Sequence, residues 1–417
     1  GAIGVAPSGA AGIGAGVNVQ TLTKTTEAHI ASSANVQAEG NVTVEAVSDE
    51  VMKTFSLAAG AGNTIGVGIS ADVYVFDLTT RAYIGNSATV RTEGSILVQA
   101  RDETEADLIV GGASVGGTGG VSAAAGVAVI DKIVDAYIGQ SANVTGEGHD
   151  TVSARTGKFI IDTTTGSTKA GVSEADLSLS GGAQPDANDL EVGTPVGVGI
   201  TDKDADNDGT DDMSDDPGLT NERTATAAKN DNFRGVAVSA SSKDDVESMS
   251  FSLAIGGTFG VGVAAAVNVV DVDTTATIGQ GAQSNQNVTD TANGAQSVLI
   301  AAASDFNHVG IGIGAAGGGT AGVAPGVDVS VVELTTEAQL GANTTVDARD
   351  DVAVIATAKE KFLIIGAGVA AGGTFALGGG VSVVTVNDTT LASIGDSADV
   401  EAGGDVAVLA SDDSSLT

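Results

Sequence analysis

The chain has 417 residues, 60 of them Gly and none Cys, and 17 Lys and Arg against 53 Asp and Glu leave a formal net charge of −36. The absence of cysteine excludes disulfides, thiol catalysis and zinc-thiolate sites, and the acidity argues against nucleic acid as a partner, because phosphate binding draws on clustered Lys and Arg. Glycine at about twice ordinary usage argues against a conventional enzyme core, while 42% hydrophobic residues and a mean hydropathy of +0.21 supply enough apolar surface for a large core and argue against disorder.

The chain opens GAIGVAPSGA without a Met and closes on DDSSLT just after a repeat, which reads as a fragment or mature segment of something longer. Its dominant feature is self-similarity. The segment from Ala28 to Ala46, AHIASSANVQAEGNVTVEA, returns from Ala82 as AYIGNSATVRTEGSILVQA, and again from Ala338 and Ala392. The apolar residue near the head of each copy falls at Ile30, Ile84, Ile138, Ile278, Leu340 and Ile394, with separations of 54, 54, 140, 62 and 54. The unit is therefore 54 residues, with insertions of 86 and 8 residues in two of the intervals.

Within the first copy Ile30, Ala34, Val36, Ala38, Val42, Val44 and Ala46 share one parity, and His29, Asn35, Gln37, Glu39, Asn41 and Glu45 share the other. Period two predicts strands with one buried face. In the other half of the unit, Leu57, Ala59, Ala61, Ile65, Val67 and Ile69 alternate with Ala58, Gly60, Gly62, Gly66, Gly68 and Ser70. A whole face of Gly, Ala and Ser lets another sheet approach closely, so two sheets packed face to face are expected, one almost without side chains.

Thr-Thr pairs precede the marker at Thr25-Thr26, Thr79-Thr80, Thr274-Thr275, Thr335-Thr336 and Thr389-Thr390, and predict hydroxyl ladders at a strand edge. Uncharged stretches at Val110 to Ile130, Leu253 to Val270 and Phe362 to Asn387 are rich in Gly, Thr and Ser and fall at one phase of the repeat, so no membrane span is assigned to this segment. A membrane barrel would need aromatic girdles, and only 3% of residues are aromatic.

Copies that bury their apolar faces only by stacking make a solenoid. The expected fold is all-β, a repetitive β-solenoid of about six 54-residue units, with repeats over 1–148 and 235–417 and an acidic insertion over 149–234. Two or three coils per unit, with strands about 4.8 Å apart, would give a rod of roughly 60 to 85 Å.

The AxIGxxAxVxAxGxVxVxA units with their Gly- and Ala-rich companion strands resemble the repeats of large bacterial filamentous adhesins, the filamentous-haemagglutinin-like and leukotoxin-like surface proteins. The likeness covers the six units. It implies a secreted, extracellular cell-surface protein, a long β-helical shaft, adhesion or matrix formation, and no catalytic residues.

The insertion has 17 acidic against 7 basic residues, and its centre reads DKDADNDGTDDMSDDPG. From Asp204 the spacing places Asp206 at position 3, Asp208 at 5, Gly209 at the sharp turn, Thr210 with its carbonyl at 7, Asp212 at 9 and Asp215 at 12. Carboxylates this dense repel one another unless a divalent cation sits among them, and calcium is the expected ion. The spacing is similar to thrombospondin type 3 and dockerin-like calcium repeats. It departs from an ordinary EF-hand in lacking Glu at position 12 and flanking helices.

An enzyme reading has little to stand on. His29, His149 and His308 are scattered, Lys203 and Arg223 lie near the acidic loop without further support, and Gly312-x-Gly314-x-x-Gly317 sits in a glycine-rich repeat phase with no following helix, so it reads as strand packing. The expectation is a non-enzymatic structural or adhesive segment of a surface filament with a calcium-binding insertion. Its expected partners are copies stacked end to end and a host-cell, glycan or matrix ligand. The alternative is a calcium-using β-helix protein that binds or degrades acidic polysaccharide.

Overall fold

The computed structural model describes residues 2–159, 175–177, 190–192, 228–286 and 292–417. Three parallel sheets wind around a common axis. The first contains Ala2–Ser8, Val42–Gly62, Ile96–Gly116, Gly235–Gly256, Ser297–Gly318, Val352–Gly372 and Val406–Leu416. The second contains Ala11–Ile30, Ile65–Ile84, Gly119–Ile138, Phe259–Ile278, Ala321–Leu340 and Phe375–Ile394. The third is short: Asn35–Ala38, Thr89–Thr92, Asn143–Gly146, Gln283–Ser284, Thr345–Ala348 and Asp399–Ala402. This is an all-β repetitive solenoid.

Each 54-residue unit is one coil, not two or three. Val42 pairs with Ile96, Ile30 with Ile84 and Val36 with Val90, each one unit along the chain. The reason is strand length: the Gly- and Ala-rich halves do not break the sheet, so two strands of about 20 residues use up most of the unit in a single turn. Six coils therefore rise roughly 30 Å, against strands about 66 Å long. The stack is a broad blade rather than the slender rod expected from several coils per unit.

One parity faces inward all the way round the coil. At the wide end Val42, Val44, Ala46, Ala82, Ile84 and Val90 meet their equivalents from the neighbouring coils in a triangular core. The corner between the second and third sheets turns on a residue with positive φ: Ser33, Ser87, Ser141, Gly281, Asn343 and Ser397. Toward the opposite end the first and second sheets close on each other. A Cβ on Gly60 would lie 1.9 Å from the Val67 carbonyl oxygen, and one on Gly68 2.1 Å from that of Ala113. Both sheets, not one, present small residues here, so backbone meets backbone.

The 86-residue insertion leaves this stack without disturbing it, since Val236 pairs directly with Ile96. Its base is an antiparallel pair, Val152–Phe159 with Ala228–Phe233, whose Val152, Ala154 and Phe233 cover Leu97, Ala237 and Leu299 on the outside of the first sheet. A second antiparallel pair joins Ala175–Leu177 to Leu190–Val192.

One residue of each threonine pair stacks in register, but Thr274 Oγ1 and Thr390 Oγ1 have no hydrogen-bond partner, so the column is not the continuous hydroxyl ladder expected. Thr26, Thr80, Val134, Thr274, Thr336 and Thr390 are in register, so the fourth coil contributes Thr274 while Thr275 pairs with Glu337. Thr80, Thr274 and Thr336 are buried, and Thr80 donates to Asp102 at 2.6 Å.

Candidate functional site

Halfway along the blade, inward positions carry charge. Three in-register columns face one another there. On the second sheet the column reads Lys24, Leu78, Lys132, Val272, Leu334, Asp388. Opposite it the first sheet supplies Glu50, Thr104, Asp244, Phe306, Glu360 and Ser414, flanked by Ser48, Asp102, Ser242, Ser304, Ala358 and Asp412.

These columns create three polar stations; the first two touch, since Thr104 Oγ1 lies 3.5 Å from Glu50 Oε2, and Val272, Phe306 and Leu334 set the third apart. At the first, Lys24 pairs with Glu50, which also accepts from Ser48 at 2.6 Å. At the second, the fully buried Lys132 ammonium lies 2.7 Å from Asp102 and 2.8 Å from Asp244, and bonds Thr104 Oγ1 at 3.0 Å. Burial disfavours that ammonium, but Asp102 and Asp244 outweigh it and hold its pKa above the usual lysine value. Burial likewise opposes ionisation of Asp102, and Lys132 overcomes it, keeping this carboxyl below the ordinary range. Asp244 remains raised, because burial is the larger influence on it.

The third station has acids alone. Glu360, Asp388 and Asp412 each offer a carboxylate oxygen, and the three oxygens lie within 4.8 Å of one another. Glu360 is 2% exposed. Ser414 Oγ is 2.9 Å from both Glu360 Oε2 and Asp412 Oδ1, but its single proton serves only one of them at a time. Among the described residues Glu360 Oε1 and both oxygens of Asp388 are buried without a well-formed hydrogen bond; the Thr389 N–H gives Asp388 slight support, and Asp412 lies close enough to share a proton with it. Burial, then Asp388 and Asp412, push Glu360 up to about 10; burial, then Asp412, push Asp388 up to about 7.

A second feature is the outer surface of the blade. Because the glycine parity points inward, the Val, Ile and Leu parity points outward, on both sheets. Ile69, Val263, Val331 and Val381 are 47, 36, 44 and 54% exposed on the second sheet, and Leu57 and Leu253 are 40 and 45% exposed on the first. The apolar face of the second sheet ends at an in-register row of Asp77, Asp131, Asp271 and Glu333. On the first sheet the side-chain-free Gly111 leaves a shallow apolar depression of about 540 Å³ between Leu57 and Phe251.

The predicted calcium ligands Asp204, Asp206, Asp208, Thr210, Asp212 and Asp215 lie outside the described residues, as do Lys203 and Arg223. His29 is exposed and stacks on Tyr83 at 4.9 Å between centroids, continuing to Tyr137, as its place in the repeat implied. His149 is exposed in the loop after the third coil. His308 is fully buried between the Val246 carbonyl and Ser330 Oγ, at 2.8 and 3.0 Å, and burial lowers its pKa to about 4. Ser330 also contacts Asp328 at 3.0 Å. This Ser, His and Asp set has no exposed surface, so no substrate reaches it in the closed stack. Gly312 and Gly314 are strand-packing glycines: a Cβ would lie 2.1 Å from the Val327 oxygen and 2.4 Å from that of Pro325.

Sequence reasoning missed the polar stations. The signal was present, since Lys24 has the parity of Ala28 and Ile30, Lys132 that of Ala136 and Ile138, and Glu50 that of Val44 and Ala46. A charged residue on the buried parity of a strand must find a partner inside. Comparison of the chain with protein-family models, curated proteins and solved structures finds no match.

Proposed function

We propose that this chain is a segment of a non-enzymatic, extracellular structural and adhesive protein, a stiff β-shaft whose blade faces associate laterally with other copies of itself. The observation that carries the reading is the outward apolar face on a scaffold that can be extended coil by coil. The exposed part of the second sheet spans about 11 residues along each of six strands, roughly 1,000 Å² from the strand geometry. A stable interface needs about 800 Å² from each partner. Soluble monomers seldom expose patches above about 600 Å². The row of Asp77, Asp131, Asp271 and Glu333 forms a charged rim that sets where such a contact stops.

The likeness of the repeats to filamentous adhesins supports secretion and a surface location, and the spacing of Asp204 to Asp215 supports a calcium-binding insertion as the element that recognises a glycan or matrix ligand. The test is light scattering and negative-stain microscopy of the chain and of Ile69→Asp/Val263→Asp/Val331→Asp. Lateral pairs in the wild type and monomers in the variant, with unchanged circular dichroism, are expected. A wild type that stays monomeric at its highest soluble concentration overturns the reading, as does binding to phosphatidylcholine vesicles without self-association.

A further inference from the structure

We propose that Glu360, Asp388 and Asp412 hold one hard divalent cation inside the solenoid, with calcium the best fit. The site shares no residue with the acidic loop of the insertion.

The argument is an internal comparison along one chain. At the first station one Lys faces one carboxylate, and at the second one Lys faces two. At the third the position equivalent to Lys24 and Lys132 is Asp388, so the positive charge has been exchanged for a third carboxylate. The coil beneath offers only Phe306, Leu334 and Ser304 at the corresponding positions, and Lys359 and Lys361 occupy the outward parity of their strand.

Two observations point to a ligand rather than to a chance group of acids. Glu360 is 2% exposed and its Oε1 has no hydrogen-bond partner, and the half-buried Asp388 has both oxygens buried with only slight support from the Thr389 N–H. Buried anionic atoms of this kind are costly unless a cation or proton meets them. Oxygens that all lie within 4.8 Å of one another are near enough to share one ion, and the flexible oxygen shell of calcium accepts such an irregular set more readily than the near-octahedral shell of magnesium. An all-oxygen donor set without His or Cys selects a hard ion over a transition metal.

The competing occupant is the proton, and the experiment separates the two. In an Asp206→Ala/Asp208→Ala chain, which disables the insertion loop, calcium is titrated calorimetrically at pH 7 in two buffers of different ionisation enthalpy. One ion per chain is expected, with release of protons, in the range of about 10⁻⁴ to 10⁻³ M. Adding Asp388→Asn removes the binding and raises the melting temperature in EDTA, because it relieves repulsion. Adding Asp388→Lys, which rebuilds the arrangement around Lys132, gives a chain whose melting temperature no longer responds to calcium. The proposal is overturned if the Asp206→Ala/Asp208→Ala chain takes up no calcium to about 10 mM, or if Asp388→Asn leaves its uptake intact.

Discussion

Lys132 is the position where the energetics of the interior can be tested most directly. Replacing it by Met removes the charge and little volume, and Leu78, Val272 and Leu334 already occupy the same column in neighbouring coils, so shape is not the issue. What remains is two carboxylates, Asp102 and Asp244, each about 1% exposed or less and facing each other without a cation. Removing one partner of a buried ion pair costs about 3–5 kcal/mol, because the other charge stays behind. Lys132→Met should lose that much at pH 7, and Lys132→Met/Asp102→Asn/Asp244→Asn should recover all but about 1 kcal/mol of it. The pH dependence has a definite sign. In the wild type Asp102 titrates below its unfolded value, so its contribution is present above that value and is lost as pH falls through the folded one. In the variant both carboxyls titrate high and are neutralised as pH falls, so the gap between variant and wild type narrows from pH 8 to pH 5. Urea midpoints followed by circular dichroism at those pH values are sufficient. A gap below about 1 kcal/mol at pH 7, or one that does not change with pH, refutes the reasoning.

Gly60→Ala and Gly40→Ala separate packing from backbone entropy. The first puts a Cβ 1.9 Å from a carbonyl oxygen of the opposing sheet and should cost at least about 1–3 kcal/mol. The second meets nothing within 4 Å and should be near neutral or slightly stabilising, which denaturation midpoints will show. The whole chain should lose stability as pH rises from 5 to 8 in EDTA. Burial raises Asp328 to about 6, Asp388 to about 7 and Asp245 to about 8. Each such group stabilises fully below its unfolded value and loses that contribution as pH climbs through the folded one. His308, lowered to about 4, acts in the opposite direction between pH 4 and 6.5, so His308→Gln should steepen the fall; thermal melts across the range check both.

The repeat length, the inward parity of the wide end and the near-contact of the glycine faces were all legible, because each is a local alternation written directly in the chain. The number of coils per unit was not. It depends on where strands end, and Gly60, Gly62, Gly66 and Gly68 look like breaks in a single copy although in the stack they are packing surfaces. The stacking of the threonines was legible to within one residue, missing at Thr275 because a pair of identical letters hides which member faces inward, while the expected hydroxyl bonding along the column breaks at Thr274 and Thr390. The acidic triad was invisible to spacing. Glu360, Asp388 and Asp412 come from two sheets and two successive coils, and only the register brings them together.

That register also explains why the apolar residues can sit outside. Where Gly60 opposes Val67 and Gly68 opposes Ala113, the sheets touch through their backbones, with only small side chains such as Ala254, Ala316 and Ala324 buried between them. Burial of side chains therefore contributes little to this end of the blade, which is held by parallel ladders to the coils on either side and by the neighbouring core of Tyr74, Phe76, Leu108 and Val110. Valines and isoleucines at Ile69, Val263 and Val331 favour the extended backbone but gain no interior contact from it. Threonine or serine would serve the ladder almost as well and leave the surface wet. An apolar residue repeated outward on six successive coils is thus unexplained by the fold of one chain and is accounted for by a surface that meets another. The Asp substitutions at those three positions distinguish these roles: they should leave the stack folded and abolish the association.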